Sequence, residues 1–258
     1  MKPPANRRAE ALVLRRTAYG DADWIVTLFS REEGLVRAVA KNARASRKRF
    51  GGALDLFSRV RIDTKAPVHG RSEALWRLES AELLDAHLSL RSSLEALEAA
   101  SHACRAVGAL LHEHEPSAAL FENLCLFLSG TGRSGEGEVP AELARLWALL
   151  RVLDAAGFAP LLGECVRCGR TLGEHRSAAF SAAEGGLVCG ECQHGEGAQV
   201  LPPAGVRVLR EIASVTFGEL PSVRITPRGR AQLLRLVSDF LDYRAGKSLR
   251  GRRRASNV

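Results

Sequence analysis

The stretch Leu54-Asp55-Leu56-Phe57-Ser58-Arg59-Val60-Arg61-Ile62-Asp63 carries the cleanest two-residue alternation in the chain. Leu54, Leu56, Ser58, Val60 and Ile62 fall on one side, and Asp55, Phe57, Arg59, Arg61 and Asp63 on the other. That period belongs to a strand with one face on a core and the other in water. Before it lie Ala11–Leu14, the aromatic and β-branched run Trp24-Ile25-Val26-Thr27-Leu28-Phe29, and Leu35–Lys41, introduced by Gly34. After it, Ala66-Pro67-Val68-His69-Gly70 supplies turn chemistry and Ala74–Ser80 a fifth strand. Five short strands between residues 10 and 80 predict a small closed barrel, and the OB-fold is the five-stranded barrel that binds nucleic acid.

Between the third and fourth strands, five of the nine positions from Lys41 to Arg49 are basic: Lys41, Arg44, Arg47, Lys48 and Arg49. A run this dense repels itself in isolation and is relieved beside phosphates, whose counterions it releases. The alternative is a solvated loop. Arg37, Arg59 and Arg61 on adjoining strands widen the basic surface, so these eight cations are the candidate DNA contacts. Aromatics are sparse here, and several must fill the barrel. Base stacking would fall to Phe50 or Phe57, with backbone recognition the main expectation.

From residue 81 the period changes to helical. Leu94, Leu97, Ser101, Cys104, Val107 and Leu111 share a face, as do Leu120, Leu124, Phe127 and Leu128. Pro140 opens a further helix with Leu143, Leu146, Trp147, Leu150 and Leu153, stopped at Gly157. Cys104 and Cys125 read as small core residues. Gly130-Thr131-Gly132-Arg133-Ser134-Gly135 matches G-x-G-x-x-G, but no strand precedes it, so it reads as a linker. Beyond Pro202-Pro203 come two more helices and a tail with six basic residues among the eleven from Arg244 to Arg254. The tail is either a second polyanion contact or a solubilising end.

Within the helical half, Cys165-Val166-Arg167-Cys168 is followed after twenty residues by Cys189-Gly190-Glu191-Cys192. Two C-x-x-C pairs at this spacing fit a zinc ribbon or a treble-clef-like knuckle. Four thiolates from Cys165, Cys168, Cys189 and Cys192 fill a tetrahedral shell, so one structural zinc ion is expected, with no open position for chemistry. A redox dithiol and a pair of disulfides are the alternatives. His175 and His194 read as loop residues beside a full shell.

The whole is an α+β protein. Residues 1–80 are expected to form an OB-fold nucleic-acid-binding domain, and residues 81–258 an α-helical domain with a zinc knuckle at 161–200. With 37 Lys plus Arg against 29 Asp plus Glu, the formal charge of +8 suits a polyanionic partner. Residues 1–10 lack the apolar run of a signal peptide, and no apolar stretch nears the ~20 residues of a membrane span. A cytoplasmic, nucleoid-associated protein with reduced thiols and no small-molecule substrate is expected.

Tyr19-Gly20-Asp21-Ala22-Asp23, Ile25–Ser30, Gly34–Lys41, Gly51-Gly52-Ala53-Leu54 and Leu56-Phe57-Ser58 recur in order. Further on stand Gly157-Phe158-Ala159-Pro160 before Cys165, Phe180-Ser181 and Gly185-Gly186-Leu187 before Cys189, and Lys247-Ser248-Leu249-Arg250. Taken together these resemble the bacterial RecO family of recombination mediators over nearly the whole chain. The resemblance implies an N-terminal OB-fold, a helical domain with a zinc knuckle, and a non-enzymatic role in the RecF pathway of DNA repair. It implies binding of single- and double-stranded DNA and annealing of complementary strands. It also implies contact with the tail of single-stranded-DNA-binding protein, and RecA loading together with RecR. Where the family often has Lys-Gly after the third strand, this chain has Lys41-Asn42. A zinc-stabilised interaction scaffold without annealing is the alternative. A zinc deaminase would need H-x-E or C-x-E upstream of P-C-x-x-C, and neither cysteine pair follows a proline.

Overall fold

The computed structural model describes residues 6–66, 75–133, 135, 137–173, 176–193 and 199–249. The chain divides into two compact units, Met1–Ser92 with Leu111–Gly130, and Ser93–Leu110 with Thr131–Val258.

In the first unit, β1 (Asn6–Tyr19), β2 (Asp23–Ser30), β3 (Gly34–Ala40), β4 (Arg59–Lys65) and β5 (Trp76–Asp85) close into a barrel of order β1-β2-β3-β5-β4. All neighbours are antiparallel except β3 and β5. This is the OB-fold. Its core is made by the inward residues of alternating strands, among them Val26, Leu28, Val36, Ala38, Val60, Ile62 and Leu78. A turn of helix, α1 (Arg47–Phe50), follows β3 and seats Phe50 in that core.

The first half of β3 is not paired with β5. The Leu35 carbonyl accepts the His114 N–H at 3.1 Å instead, and His114 stacks on Trp76 with centroids 5.3 Å apart. Gly34 is required here. Its φ is +69°, and a Cβ would lie 2.3 Å from the Glu115 carbonyl oxygen. Helix α3 (Ala118–Gly130) completes this unit, with Phe121 tilted against Phe29 at 6.3 Å.

Three strands, β1, β4 and β5, differ in their bounds from the sequence reading. β1 extends well past Ala11–Leu14 at both ends, and β5 runs on to Asp85. β4 begins at Arg59, not Leu54. The alternation breaks because Phe57 takes a left-handed φ of +71°, which turns its ring inward and leaves Leu56 43% exposed. The turn expected at Pro67–Gly70 lies outside the described residues.

In the second unit, α4 (Ala141–Ala155) is buried around most of its girth, and α2 (Leu94–Leu110), α5 (Pro203–Ser214) and α6 (Pro227–Ala245) pack on it. Pro140 stands at its N-cap, and Gly157 follows it with φ +75°. Of the residues expected on the core face of α2, Leu94 is exposed, Leu97 and Ser101 are half-buried and Leu111 lies past the helix; the buried residues are Ala96, Ala99, Ala100, His102, Ala103, Cys104, Ala106, Val107 and Leu110. Small residues let the α2 and α4 backbones approach. Trp147 donates its Nε1–H to the Val215 carbonyl at 2.9 Å, which satisfies the one polar atom of a fully buried ring. Past α6 the chain folds back. The Asp242 carboxylate accepts the Leu249 N–H at 2.7 Å, and Arg105 donates to the Leu249 carbonyl at 2.7 Å. The Lys-Ser-Leu part of the terminal motif is thus an anchor, and the basic tail from Arg250 lies outside the described residues. Among the described residues no helix is long and apolar enough to cross a membrane.

Candidate nucleic-acid interface and four-cysteine centre

The cationic loop is a built structure. Asn42 adopts φ +54°, the left-handed conformation that glycine favours and asparagine tolerates, so Lys41-Asn42 makes the turn that Lys-Gly would. Ser46 caps α1 by accepting the Arg49 N–H, and Gly51 closes it at φ +39°. Three bonds tie the loop to the β1–β2 hairpin tip. The Asn42 N–H donates to Asp23 Oδ1 at 2.7 Å, the Arg44 N–H to the Ala22 carbonyl at 3.0 Å, and Arg44 Nη1 to the Asp21 carbonyl at 3.0 Å. Arg44 and Arg16 both lie over the half-buried Trp24 ring, at 5.8 and 5.1 Å. Arg49 donates to the Lys41 carbonyl at 2.6 Å and lies over Phe50.

The eight candidate cations divide into two groups. Lys41 and Lys48 are exposed and have no ion-pair partner among the described residues. Arg44 is exposed and Arg49 half-buried; each bonds a carbonyl, and neither has a carboxylate partner among the described residues. Arg47 opens α1. Arg37 is exposed on β3, with Glu113 at 4.0 Å. Arg59 and Arg61, by contrast, are held by carboxylates. Arg59 donates from Nε and Nη2 to Glu10 Oε2 at 3.1 and 2.5 Å, and this bond raises its pKa above the ordinary arginine value. Arg61 reaches Glu82 at 3.1 Å and Glu10 at 3.8 Å.

The register adds residues that the sequence reading missed. Across the outer barrel face, Arg15, Thr27 and Arg37 form one cross-strand row, and Thr17, Ile25, Val39 and Arg77 the next. Arg15 is exposed with no ion pair among the described residues, whereas Arg77 pairs with Glu79 at 2.9 Å. Alternation through Arg15, Thr17 and Tyr19 was a signal for this row, but the strand reading stopped at Leu14. Phe50 and Phe57, the rings expected to stack on bases, are both buried.

In the second unit the Sγ atoms of Cys165, Cys168, Cys189 and Cys192 all lie within 4.8 Å of one another, and Cys168 and Cys189 are 3.9 Å apart. A tetrahedral ion with metal–sulfur bonds of about 2.3 Å gives sulfur–sulfur edges of about 3.8 Å, so the cluster fits one closed metal site. All four are free thiols, which leaves no disulfide in the set. Each C-x-x-C turns tightly: the Gly169 N–H donates to the Cys165 carbonyl at 2.9 Å, and the Cys192 N–H to the Cys189 carbonyl at 3.1 Å. Between the pairs run β6 (Ala178–Ser181) and β7 (Gly186–Val188), with β8 (Gln199–Leu201) on the far side of β6. Gly186 has no room for a Cβ, which would lie 2.4 Å from the Leu161 carbonyl oxygen and 2.7 Å from Val166.

Two guanidiniums strap the halves of the centre together. Arg167 bonds Glu184 at 2.9 Å and the Cys192 carbonyl, and Arg170 pairs with Glu191 at 2.5 Å. Burial opposes ionisation of Cys165, but backbone N–H groups of Cys189, Cys168 and Arg167 outweigh it and lower the thiol to about 6. Cys192 in the same cluster is pushed the other way, to about 12, by hydrogen bonds with Cys189 and Cys168, so the full set of thiolates needs a cation's charge. His175 and His194 lie outside the described residues. Cys104 and Cys125 are buried elsewhere, and burial pushes each thiol up to about 12.

The described residues thus combine an OB-fold barrel bearing a cationic loop with a helical unit holding a four-thiol cluster. The family models described as Recombination protein O N terminal and Recombination protein O C terminal match residues 1–87 and 91–253. The chain is 39% identical over 196 residues to the DNA repair protein RecO of Syntrophotalea carbinolica, covering 76% of this chain and 73% of that protein. It is 34% identical over 245 residues to the DNA repair protein RecO of Anaeromyxobacter sp. (strain K), covering 94% and 92%. To that of Symbiobacterium thermophilum it is 32% identical over 246 residues, covering 94% of each. The chain belongs to the RecO family, and with it to recombinational DNA repair.

Proposed function

We propose that the chain is a non-enzymatic recombination mediator that binds single-stranded DNA and anneals complementary strands. The observation that carries this is the cationic loop at one edge of an OB-fold barrel, in which Lys41, Arg44, Lys48 and Arg49 meet no carboxylate among the described residues. Two polyanionic strands repel one another, and a surface that engages both displaces counterions and lowers that repulsion. The contacts fall to Arg37, Lys41, Arg44, Arg47, Lys48 and Arg49. Arg59 and Arg61 are weaker members of the set, since Glu10 and Glu82 already neutralise them. Double-stranded DNA engages the same cations through its phosphates.

Zinc at Cys165, Cys168, Cys189 and Cys192 supplies a structural cross-link and no reaction step. Family membership supports partners that the chain itself does not specify: RecR, the tail of single-stranded-DNA-binding protein and, through them, RecA. Separate roles for the barrel and the helical part, and an intracellular site of action, belong to the same proposal. The test is annealing of complementary oligonucleotides in the absence of any nucleotide triphosphate, at rising salt. Annealing that fades with salt is expected. Its absence at low salt would leave the interaction scaffold as the better reading.

A further inference from the structure

We propose that Tyr19 stacks on an unpaired base and thereby gives the barrel its preference for single strands over duplex. The inference rests on the nucleic-acid-binding reading above and adds to it a residue and a ligand moiety. Among the aromatic rings of the first unit, Phe29, Phe50, Phe57, Trp76, Phe121 and Phe127 are buried, and Trp24 is half-buried under two guanidiniums. Tyr19 alone stands out, 56% exposed. One exposed ring is ordinary on a protein surface; what singles out Tyr19 is its place at the end of a strip with Ile25 and Val39, beside the exposed Arg15 and Arg37.

Its position supports the assignment. Tyr19 pairs with Asp23 at the end of the β1–β2 ladder, one row beyond Thr17, Ile25 and Val39. Strand alternation puts these residues on one face, so the ring continues an apolar strip formed by the half-buried Ile25 and Val39. Arg15 and Arg37 stand two rows along on that face. A strand whose phosphates follow those cations brings its bases over the strip.

The tip is also held still. Gly20 takes the left-handed φ of +58° that the short turn requires, and Asn42 and Arg44 bind the turn from the cationic loop. These bonds place the backbone that carries the ring, so the turn itself loses little freedom on binding. Asp21 is an exposed acid at the same tip, and Asp23 is occupied by the Asn42 N–H, so the ring's contact is with the base and not with phosphate.

The experiment uses the full chain with its metal. Dissociation constants are measured at one salt concentration for an oligothymidylate, an abasic oligomer of equal length and a duplex, with wild type, Tyr19→Phe and Tyr19→Ala. Wild type and Tyr19→Phe are expected to favour the base-bearing strand. Tyr19→Ala is expected to lose about tenfold in affinity for it, in line with stacking by a single ring. Its affinity for abasic and duplex ligands should be unchanged, as should its unfolding midpoint. An unchanged ratio of base-bearing to abasic affinity in Tyr19→Ala would overturn the stacking role while leaving phosphate binding intact. Failure of wild type to bind any of the three would overturn the nucleic-acid reading itself.

Discussion

Replacing both free lysines of the cationic loop, Lys41→Ala/Lys48→Ala, separates charge that reaches solvent from charge the fold has already neutralised. Neither side chain has a carboxylate partner among the described residues, so each is available to displace a counterion. On a single strand each phosphate contact contributes about −0.7 to the slope of log K against log salt. The double variant should therefore flatten the slope by about 1.4. At 0.1 M salt, referred to 1 M, each lost contact lowers affinity about fivefold, and the pair about 25-fold. Arg59→Ala is the internal comparison. Its guanidinium is bound through two donors to Glu10, so its removal should leave the slope nearly unchanged. It should cost about 0.5–1 kcal/mol of stability, the range of a largely solvent-screened pair. Fluorescence anisotropy with a labelled oligothymidylate from 0.05 to ~0.5 M salt reads the slopes, and urea unfolding reads the stability. Equal slopes for Lys41→Ala/Lys48→Ala and wild type, or a flattened slope in Arg59→Ala alone, would refute the division of the cations drawn from their ion pairs.

Cys165→Ser should lower bound zinc from one per chain to well below one in metal analysis of reduced protein. It should also reduce the unfolding midpoint of the second unit by about 10 °C, corresponding to ~3 kcal/mol lost with the ion. The buried thiols make a prediction in pH. Cys104 ionises at about 12 in the folded chain against an ordinary 9.0, so above pH 9 the unfolded chain gives up its proton first. The contribution is fully present below pH 9 and is lost as pH rises toward 12. Cys104→Ala should therefore show a shallower decline in urea midpoint between pH 9 and 11 than wild type.

Much of the fold could be read from residue order because it depends on local chemistry. The alternation of Val60 and Ile62 with Arg59 and Arg61 marks a half-buried strand wherever it occurs. Pro140 and Gly157 bound a helix through backbone preferences that need no neighbour. The two C-x-x-C pairs forecast a four-sulfur cluster because tetrahedral thiolate sites recur at such spacings, and their Sγ atoms do converge. The stripe of Leu120, Leu124, Phe127 and Leu128 announced a helix, yet not that it would pack in the barrel's unit, since an apolar stripe does not name its partner.

The charge of the loop was likewise evident in its residue types, whereas the availability of that charge was not. Arg49 and Arg59 are the same residue and differ in effect only because one meets a carbonyl and the other Glu10, 49 positions away in sequence. In the same way, composition counts Tyr19, Phe50 and Phe57 alike as aromatic. The fold buries the two phenylalanines, Phe50 in the barrel core, and leaves the tyrosine at a hairpin tip. Burial and ion pairing are properties of contacts between distant segments. The linear chain therefore determined which chemistry was present, and closure of the barrel decided which of it faces water.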